Sequence, residues 1–295
     1  MSRKGQAFEG CTVALVTPFR NGAVDFDALR KLVDWQIEQG TKILSPVGTT
    51  GESPTMTHDE HERVIAAVVE HTAKRAKVLA GTGSNATAEA VRLTKFAQKA
   101  GADGSLSVTP YYNRPTQEGL YRHYATLAEG CDLPIVLYNV PIRTGRNLEP
   151  GTVERLTRFP SIVAIKEAAG SLDQVSELVL RTDLTVLSGD DSLTLPMMAV
   201  GAQGVVSVVA NLVPGEVRRL VDSFLEGNIE EARRLHLRLF ALCRDLLGAA
   251  PNPIPLKTAM QLLGRGNGEL RLPLCAPDES VVDALRQSLL AFGLL

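Results

Sequence analysis

About eight times in the first roughly 230 residues, a short apolar run of strand-like composition gives way to a stretch of helical periodicity. Few architectures accept that alternation. The runs are 11–16, 43–47, 77–80, 105–108, 134–138, 162–166, 185–188 and 204–209. Between them stand helix signals with a physical basis. Asp25 can cap a helix whose apolar positions Phe26, Leu29, Val33 and Ile37 recur until Gly40 stops it. Thr57 with Glu60, and Ser171 with Gln174, have capping-box spacing. Asn85 is placed to cap the helix that ends near Gly101, and Pro214 opens the helix after the eighth run. Strand followed by helix, repeated in this way, predicts a parallel TIM (β/α)8 barrel, which typically takes ~250 residues. A doubly wound sheet is the alternative. After Asn228 the strands cease, and 230–247, 255–263 and 280–290 read as helices. The expectation is a barrel over residues 1–229 that carries the active site, with a small helical region at 230–295.

Composition narrows the class of partner. With 295 residues and 44% hydrophobic content the chain can bury a large core. A formal charge of −2 and the lack of any long basic run argue against nucleic acid or an anionic membrane. No apolar run approaches the roughly 20 residues that span a bilayer, and the start, at 1–8, has charge but no apolar leader core behind it. A cytoplasmic protein acting on small molecules is the expectation. Cys11, Cys131, Cys243 and Cys275 are too scattered for a zinc or redox motif.

Barrel active sites gather at the C-terminal ends of the strands, so those ends carry the functional reading. The second run leads into Gly48-Thr-Thr-Gly-Glu52, the third into Gly81-Thr-Gly83, the fourth into Thr109-Pro-Tyr-Tyr-Asn113 and the fifth into Tyr138-Asn-Val-Pro141. The sixth ends at Lys166. As a strand, it puts Ile162, Ala164 and Lys166 on one face and Val163 and Ile165 on the other. An amine among apolar neighbours is disfavoured as ammonium, and a neutral amine can attack a carbonyl. Lys166 is therefore a candidate Schiff-base nucleophile, or else a solvated partner of Glu167 at the strand's exit. The 48–52 turn could offer backbone N–H groups and hydroxyls to a small carboxylate, or be a plain glycine turn. No lysine follows its glycines, so it is not a nucleotide P-loop. The Tyr138 phenol could relay protons, or be a satisfied core hydroxyl.

Four segments carry a resemblance: Gly48-Thr-Thr-Gly-Glu52, Thr109-Pro-Tyr-Tyr-Asn-Arg-Pro115, Leu137-Tyr-Asn-Val-Pro-Ile-Arg-Thr-Gly145 and Val163-Ala-Ile-Lys-Glu-Ala168. In this order and spacing they resemble the dihydrodipicolinate synthase family, also called the 4-hydroxy-tetrahydrodipicolinate synthases. That family sits among the pyruvate-dependent class I aldolases and lyases that include N-acetylneuraminate lyase. Leu187-Ser-Gly-Asp-Asp191, Gly204-Val-Val-Ser207 and Pro251-Asn-Pro-Ile-Pro-Leu-Lys257 extend the resemblance through nearly the whole chain.

The resemblance implies a homotetramer, a dimer of dimers, that condenses pyruvate with L-aspartate 4-semialdehyde on the route to diaminopimelate and lysine. It implies Lys166 as the Schiff-base lysine, with no metal or diffusible cofactor. Thr50 and the adjacent backbone match the pyruvate-carboxylate site, and Tyr138, Thr49 and Tyr112 match a proton relay whose Tyr112 comes from a neighbouring subunit. Arg143 matches the residue that receives the second substrate's carboxylate, a task suited to a guanidinium fork. Val206, a little smaller than the isoleucine common there, is expected in the wall near pyruvate. Ser53, His58, His61, Asn85, Glu89 and Tyr111 match positions that bind the inhibitor L-lysine in sensitive members. Lys42 and Ser45 depart from the pattern, putting polar side chains where the family usually has small or aliphatic ones.

Several rivals remain. Gly81-Thr-Gly-Ser-Asn-Ala86 with Asp103 imitates a dinucleotide fingerprint, but Asp103 precedes its strand instead of ending it. His58 and His61 imitate a metal pair at the wrong spacing. A sugar-acid lyase of the same superfamily would generally carry serine in place of Thr49 and lack Arg143. A non-catalytic sensor of keto acid or lysine would have no need of the complete set of Lys166, Tyr138, Thr49, Thr50, Tyr112 and Arg143.

Overall fold

The computed structural model describes residues 3–295; Met1 and Ser2, part of the start at 1–8 read above as lacking a leader core, lie outside the described residues. The strands are β1 (Gly10–Ala14), the two-stranded hairpin β2 (Phe19–Arg20) and β3 (Ala23–Val24), β4 (Ile43–Ser45), β5 (Lys77–Gly81), β6 (Gly104–Val108), β7 (Ile135–Asn139), β8 (Ile162–Glu167), β9 (Thr185–Ser188) and β10 (Gly204–Ser207). All but the hairpin close into one barrel in the order β1-β10-β9-β8-β7-β6-β5-β4, every neighbour parallel. The expected TIM barrel is thus what forms, and the doubly wound alternative falls.

The outer ring follows the amphipathic pattern. Helix α1 (Phe26–Glu38) starts where Asp25 accepts from the Ala28 amide, and α2 (His58–Thr72) opens with a complete Thr57–Glu60 capping box. Two caps differ from expectation. The residue before α3 (Thr87–Ala100) is Ala86, which has no side-chain cap to give; Asn85 lies one position too early, and its carbonyl instead accepts from Asn113 Nδ2 at 2.8 Å. Ser171 caps α4 (Leu172–Arg181), yet the Gln174 side chain does not reach back, because its Oε1 accepts from Asn147 Nδ2 and its Nε2 donates to Asn147 and Glu167.

The barrel has an apolar interior, with Phe8, Ile43, Leu79, Leu106, Val136, Ala164, Leu187 and Val206 packed together. A larger layer, including Val13, Leu44, Leu137, Ile165 and Val205, packs outward against the helices. Ile162 belongs to the outer layer and Val163 packs on the inner one, contrary to simple alternation. The cause is an irregularity between β7 and β8: Ile135 pairs with Ile162, but Val136 pairs with Ala164, so one extra residue is absorbed and the face changes. From Ala164 onward the expected face is restored. Lys166 stands inward, beside its register partner Tyr138.

The chain continues through α5 (Ile229–Gly248), α6 (Ile254–Leu262) and α7 (Glu279–Phe292), near the three helices read from sequence. Asp103 Oδ2 accepts from the Val78 amide at 2.8 Å, a task that ties two strand starts together and keeps Asp103 away from the strand end where a ribose-binding acid belongs. Among the described residues no metal-binding cluster of His, Cys, Asp and Glu occurs, and no helix is long and apolar enough to cross a membrane.

Candidate active site

At the C-terminal mouth of the barrel lies a cavity of about 720 Å³ whose wall includes Lys166, Tyr138, Thr49, Thr50 and Arg143. Lys166 is only 5% exposed, and its Nζ lies 4.0 Å from the centroid of the Tyr138 ring. The reading of Lys166–Glu167 as a solvated pair fails here: both side chains are buried, and they point to opposite faces of β8.

Glu167 is held by neutral donors. Asn139 Nδ2 donates to both carboxylate oxygens at 3.1 and 3.0 Å, Gln174 Nε2 at 2.9 Å and the Ala169 amide at 2.7 Å. Burial raises its carboxyl above the usual range, against those donors. Because Asn139 follows Tyr138 and Glu167 follows Lys166, this network clamps β7 to β8 directly behind the Tyr138–Lys166 pair. A further carboxylate, Asp190, lines the cavity; burial raises it and the charge of Lys166 pulls it back down. Gly189 makes room for the lysine, since a Cβ there would lie 3.0 Å from Lys166 Cε.

The 48–52 turn is built by a close approach. Val47 adopts φ 51, a left-handed conformation that is costly for a β-branched residue. Its carbonyl approaches Gly81 so tightly that no side chain fits there. The turn consumes the amides of Gly51, Glu52 and Ser53 on the Gly48 and Thr49 carbonyls. Among the described residues the amides of Thr49 and Thr50 donate to no protein group. Two adjacent free N–H groups beside a hydroxyl make a seat for a carboxylate. Thr50 Oγ1 is fixed by Asn252 Nδ2 at 3.0 Å, and the Asn252 carbonyl accepts from Arg143 Nη2 at 3.3 Å. Glu52 forms a buried ion pair with Lys257, which also donates to the Glu269 carbonyl at 2.9 Å. The segment after α5 therefore belongs to the wall and supports of the site.

Sequence reasoning named no role for Gly189, Asp190, Asn252 or Lys257. Their segments were visible as part of the resemblance, but contacts spanning 202 residues, as between Thr50 and Asn252, leave no periodic signal. Val206 is fully buried with Ala164 and Leu187 beneath the cavity, and Val208 is the residue of that exit on the wall. Tyr112 stands apart at 90% exposure with φ 70, outside the cavity of its own chain.

Beside the mouth a second cluster gathers most of the other named residues. His58 Nδ1 lies 2.9 Å from Glu89 Oε1, and Ser84 Oγ donates to Glu89 Oε2 at 2.6 Å. Tyr111 touches Ser84 and the Asn85 backbone, and burial raises its phenol. His61 is turned elsewhere: burial keeps it below its ordinary value, and its Nε2 meets the Gly81 carbonyl at 2.7 Å. Ser53 begins the short turn Ser53–Thr55, half-buried.

Comparison with known proteins decides the family, because the model of the Dihydrodipicolinate synthetase family matches residues 7–291. The chain belongs to that family. A curated relative from Pelobacter propionicus, named 4-hydroxy-tetrahydrodipicolinate synthase, is 54% identical over 98% of this chain and 100% of its own. Among solved structures, dihydrodipicolinate synthase from Acinetobacter baumannii complexed with pyruvate superposes with a TM-score of 0.94 at 42% identity, covering 97% of this chain and 99% of that one. The family member from Cyanidioschyzon merolae with lysine bound gives 0.94 at 42%, over 98% and 99%.

Proposed function

We propose that this chain is a 4-hydroxy-tetrahydrodipicolinate synthase, which joins pyruvate to L-aspartate 4-semialdehyde through a Schiff base on Lys166 in the cytoplasmic route to diaminopimelate and lysine. The observation that carries the reading is the buried Lys166 amine stacked on Tyr138 in a cavity that also offers the free Thr49 and Thr50 amides. Those amides seat the carboxylate of pyruvate and present its ketone to the amine. Nζ adds to the ketone carbon, and the carbinolamine loses water to give an iminium. A methyl proton then leaves, with the electron pair drawn into the iminium, and the enamine carbon attacks the aldehyde. The alkoxide takes up a proton, and the acceptor's own amine displaces Lys166 from the iminium carbon, which closes the ring and restores the enzyme. Tyr138 is the proton carrier next to the amine, passing protons through Thr49 toward Tyr112. These steps use no metal or diffusible cofactor.

Arg143 at the rim receives the carboxylate of the semialdehyde. Arg143→Ala should raise the KM for the semialdehyde about 10- to 100-fold while borohydride still traps pyruvate on Lys166. Conversely, an unchanged KM would remove Arg143 from the acceptor site. The function itself is tested by the two-substrate assay: consumption of pyruvate with aspartate semialdehyde supports it, and cleavage of a sugar acid in its place overturns it.

We infer a homotetramer, a dimer of dimers, in which each exposed Tyr112 completes a neighbour's relay. The cluster of His58, Glu89, Tyr111 and Asn85, together with Ser53 and His61, is proposed as the site for L-lysine. The Glu89 carboxylate would pair with the ligand's amine. Glu89→Gln should raise the lysine concentration for half-inhibition at least tenfold; equal inhibition of both proteins would place the lysine elsewhere.

A further inference from the structure

Ser45 closes β4, in register with Ala14, and both residues line the cavity that holds Lys166. Ile43, two residues earlier, packs inside the barrel, and Leu44 packs outside it, so the period of the strand directs Ser45 inward as well. The side chain is 1% exposed, and its Oγ has no hydrogen-bond partner. Thr12 and Ser107 also bury unpartnered hydroxyls, but neither lines the cavity. A hydroxyl hidden from water without a partner destabilises the fold, and an alanine of similar shape would avoid the penalty. The neighbouring contacts explain nothing about why a serine stands here, whereas the cavity does.

We infer that Ser45, by turning its hydroxyl about χ1 from its covered position into the cavity, hydrogen-bonds the keto-acid substrate directly, donating to one of its oxygens while Lys166 adds to the ketone. The inference rests on the Schiff-base reading of Lys166. The geometry supplies what the contact needs, because Ser45 and the Thr49–Thr50 seat descend from the same strand exit, and the hydroxyl lies on the inner wall rather than at the rim. A keto acid brings only oxygens as polar atoms, so a hydroxyl, which can donate, is matched to it where an aliphatic side chain is not.

The test compares Ser45→Ala with the wild-type chain by three measurements: pyruvate dependence of the borohydride-trapped adduct, pyruvate affinity by calorimetry, and Tm without ligand. Expected is a five- to tenfold rise in the pyruvate concentration for half-maximal trapping, with the ligand-free Tm unchanged or higher. A merely structural hydroxyl gives the reverse pattern, a lower Tm with trapping unchanged within twofold, and that result overturns the inference. Should the wild-type chain form no adduct, the Schiff-base reading falls and the contact is judged on calorimetry alone. There, a fivefold loss of affinity in the variant supports it, and equal affinity removes it.

Discussion

Lys166→Met should abolish the trapped pyruvyl adduct at every pyruvate concentration and lower kcat by roughly 10⁴-fold or more, while making the protein more resistant to heat. The first two effects follow from loss of the amine proposed to form the iminium, a step for which binding energy cannot substitute. The third follows from the surroundings. Among the described residues the lysine ion pairs belong to Lys4, Lys74 and Lys257, and Lys166 has none. It is buried to 5% exposure against the Tyr138 ring, in a position where an unbranched apolar side chain of similar length fits without a charge to desolvate. A gain in Tm together with loss of chemistry is the signature of a residue kept for function at the expense of stability. Intact mass after borohydride, peptide mapping and a thermal scan check all three. An adduct on another lysine in the variant would move the nucleophile and sink the assignment.

How far the sequence could carry this depended on whether a feature was periodic or only spatial. The strands were legible because each is a short apolar run, most of them bounded by glycine, and the helices after Asn228 because their apolar stripes are long. Strand ends were less legible. The run at 43–47 stops as a strand at Ser45, because Val47 turns left-handed to bring the 48–52 loop over Gly81. The run at 204–209 stops at Ser207, where buried Asp191 takes the Ser207 hydroxyl and the Val208 and Val209 amides and so bends the exit. The face change at Ile162 was invisible for a related reason: a period-two rule assumes an unbroken ladder, and the bulge breaks it.

The site divides in the same way. Lys166, Tyr138, Thr49 and Thr50 could be found because each ends a strand or follows one. Asn252 and Lys257 could not, because their partners Thr50 and Glu52 lie about 200 residues away and the closed barrel alone brings them together. Ser45 was legible only as a departure in strand composition, and the closed barrel sets it on the wall of the cavity. Tyr112 illustrates the converse. Its left-handed backbone and its exposure set it outside the cavity of its own chain, so the fold of one chain gives its position and not its purpose.

Gly189→Ala should slow kcat about 100-fold and slow formation of the adduct by the same factor, yet still place the adduct on Lys166 after long incubation. The backbone at Gly189 does not need glycine for its own conformation; what needs it is the neighbour. An added Cβ would lie 2.6 Å from Ala168 Cβ, 3.0 Å from Lys166 Cε and 3.1 Å from the Glu167 carbonyl. Ala168 cannot retreat far, because its amide donates to the Asn139 carbonyl at 2.9 Å and Glu167 is tied to Asn139, Gln174 and Ala169. The Gly189 amide is itself bonded to the Glu167 carbonyl at 2.8 Å, so neither strand end can open without losing that contact. The flexible end of the lysine must therefore yield, and a displacement near 1 Å from the attack geometry is enough for a loss of about 10²-fold. Overpacking should also cost roughly 1–3 kcal/mol of stability. Gly215→Ala is the control, since a Cβ there meets nothing within 4 Å. If Gly189→Ala kept its adduct rate within threefold of the control, the close packing around Cε would be incidental, and the reach of Lys166 would have to be set by the Tyr138 ring alone.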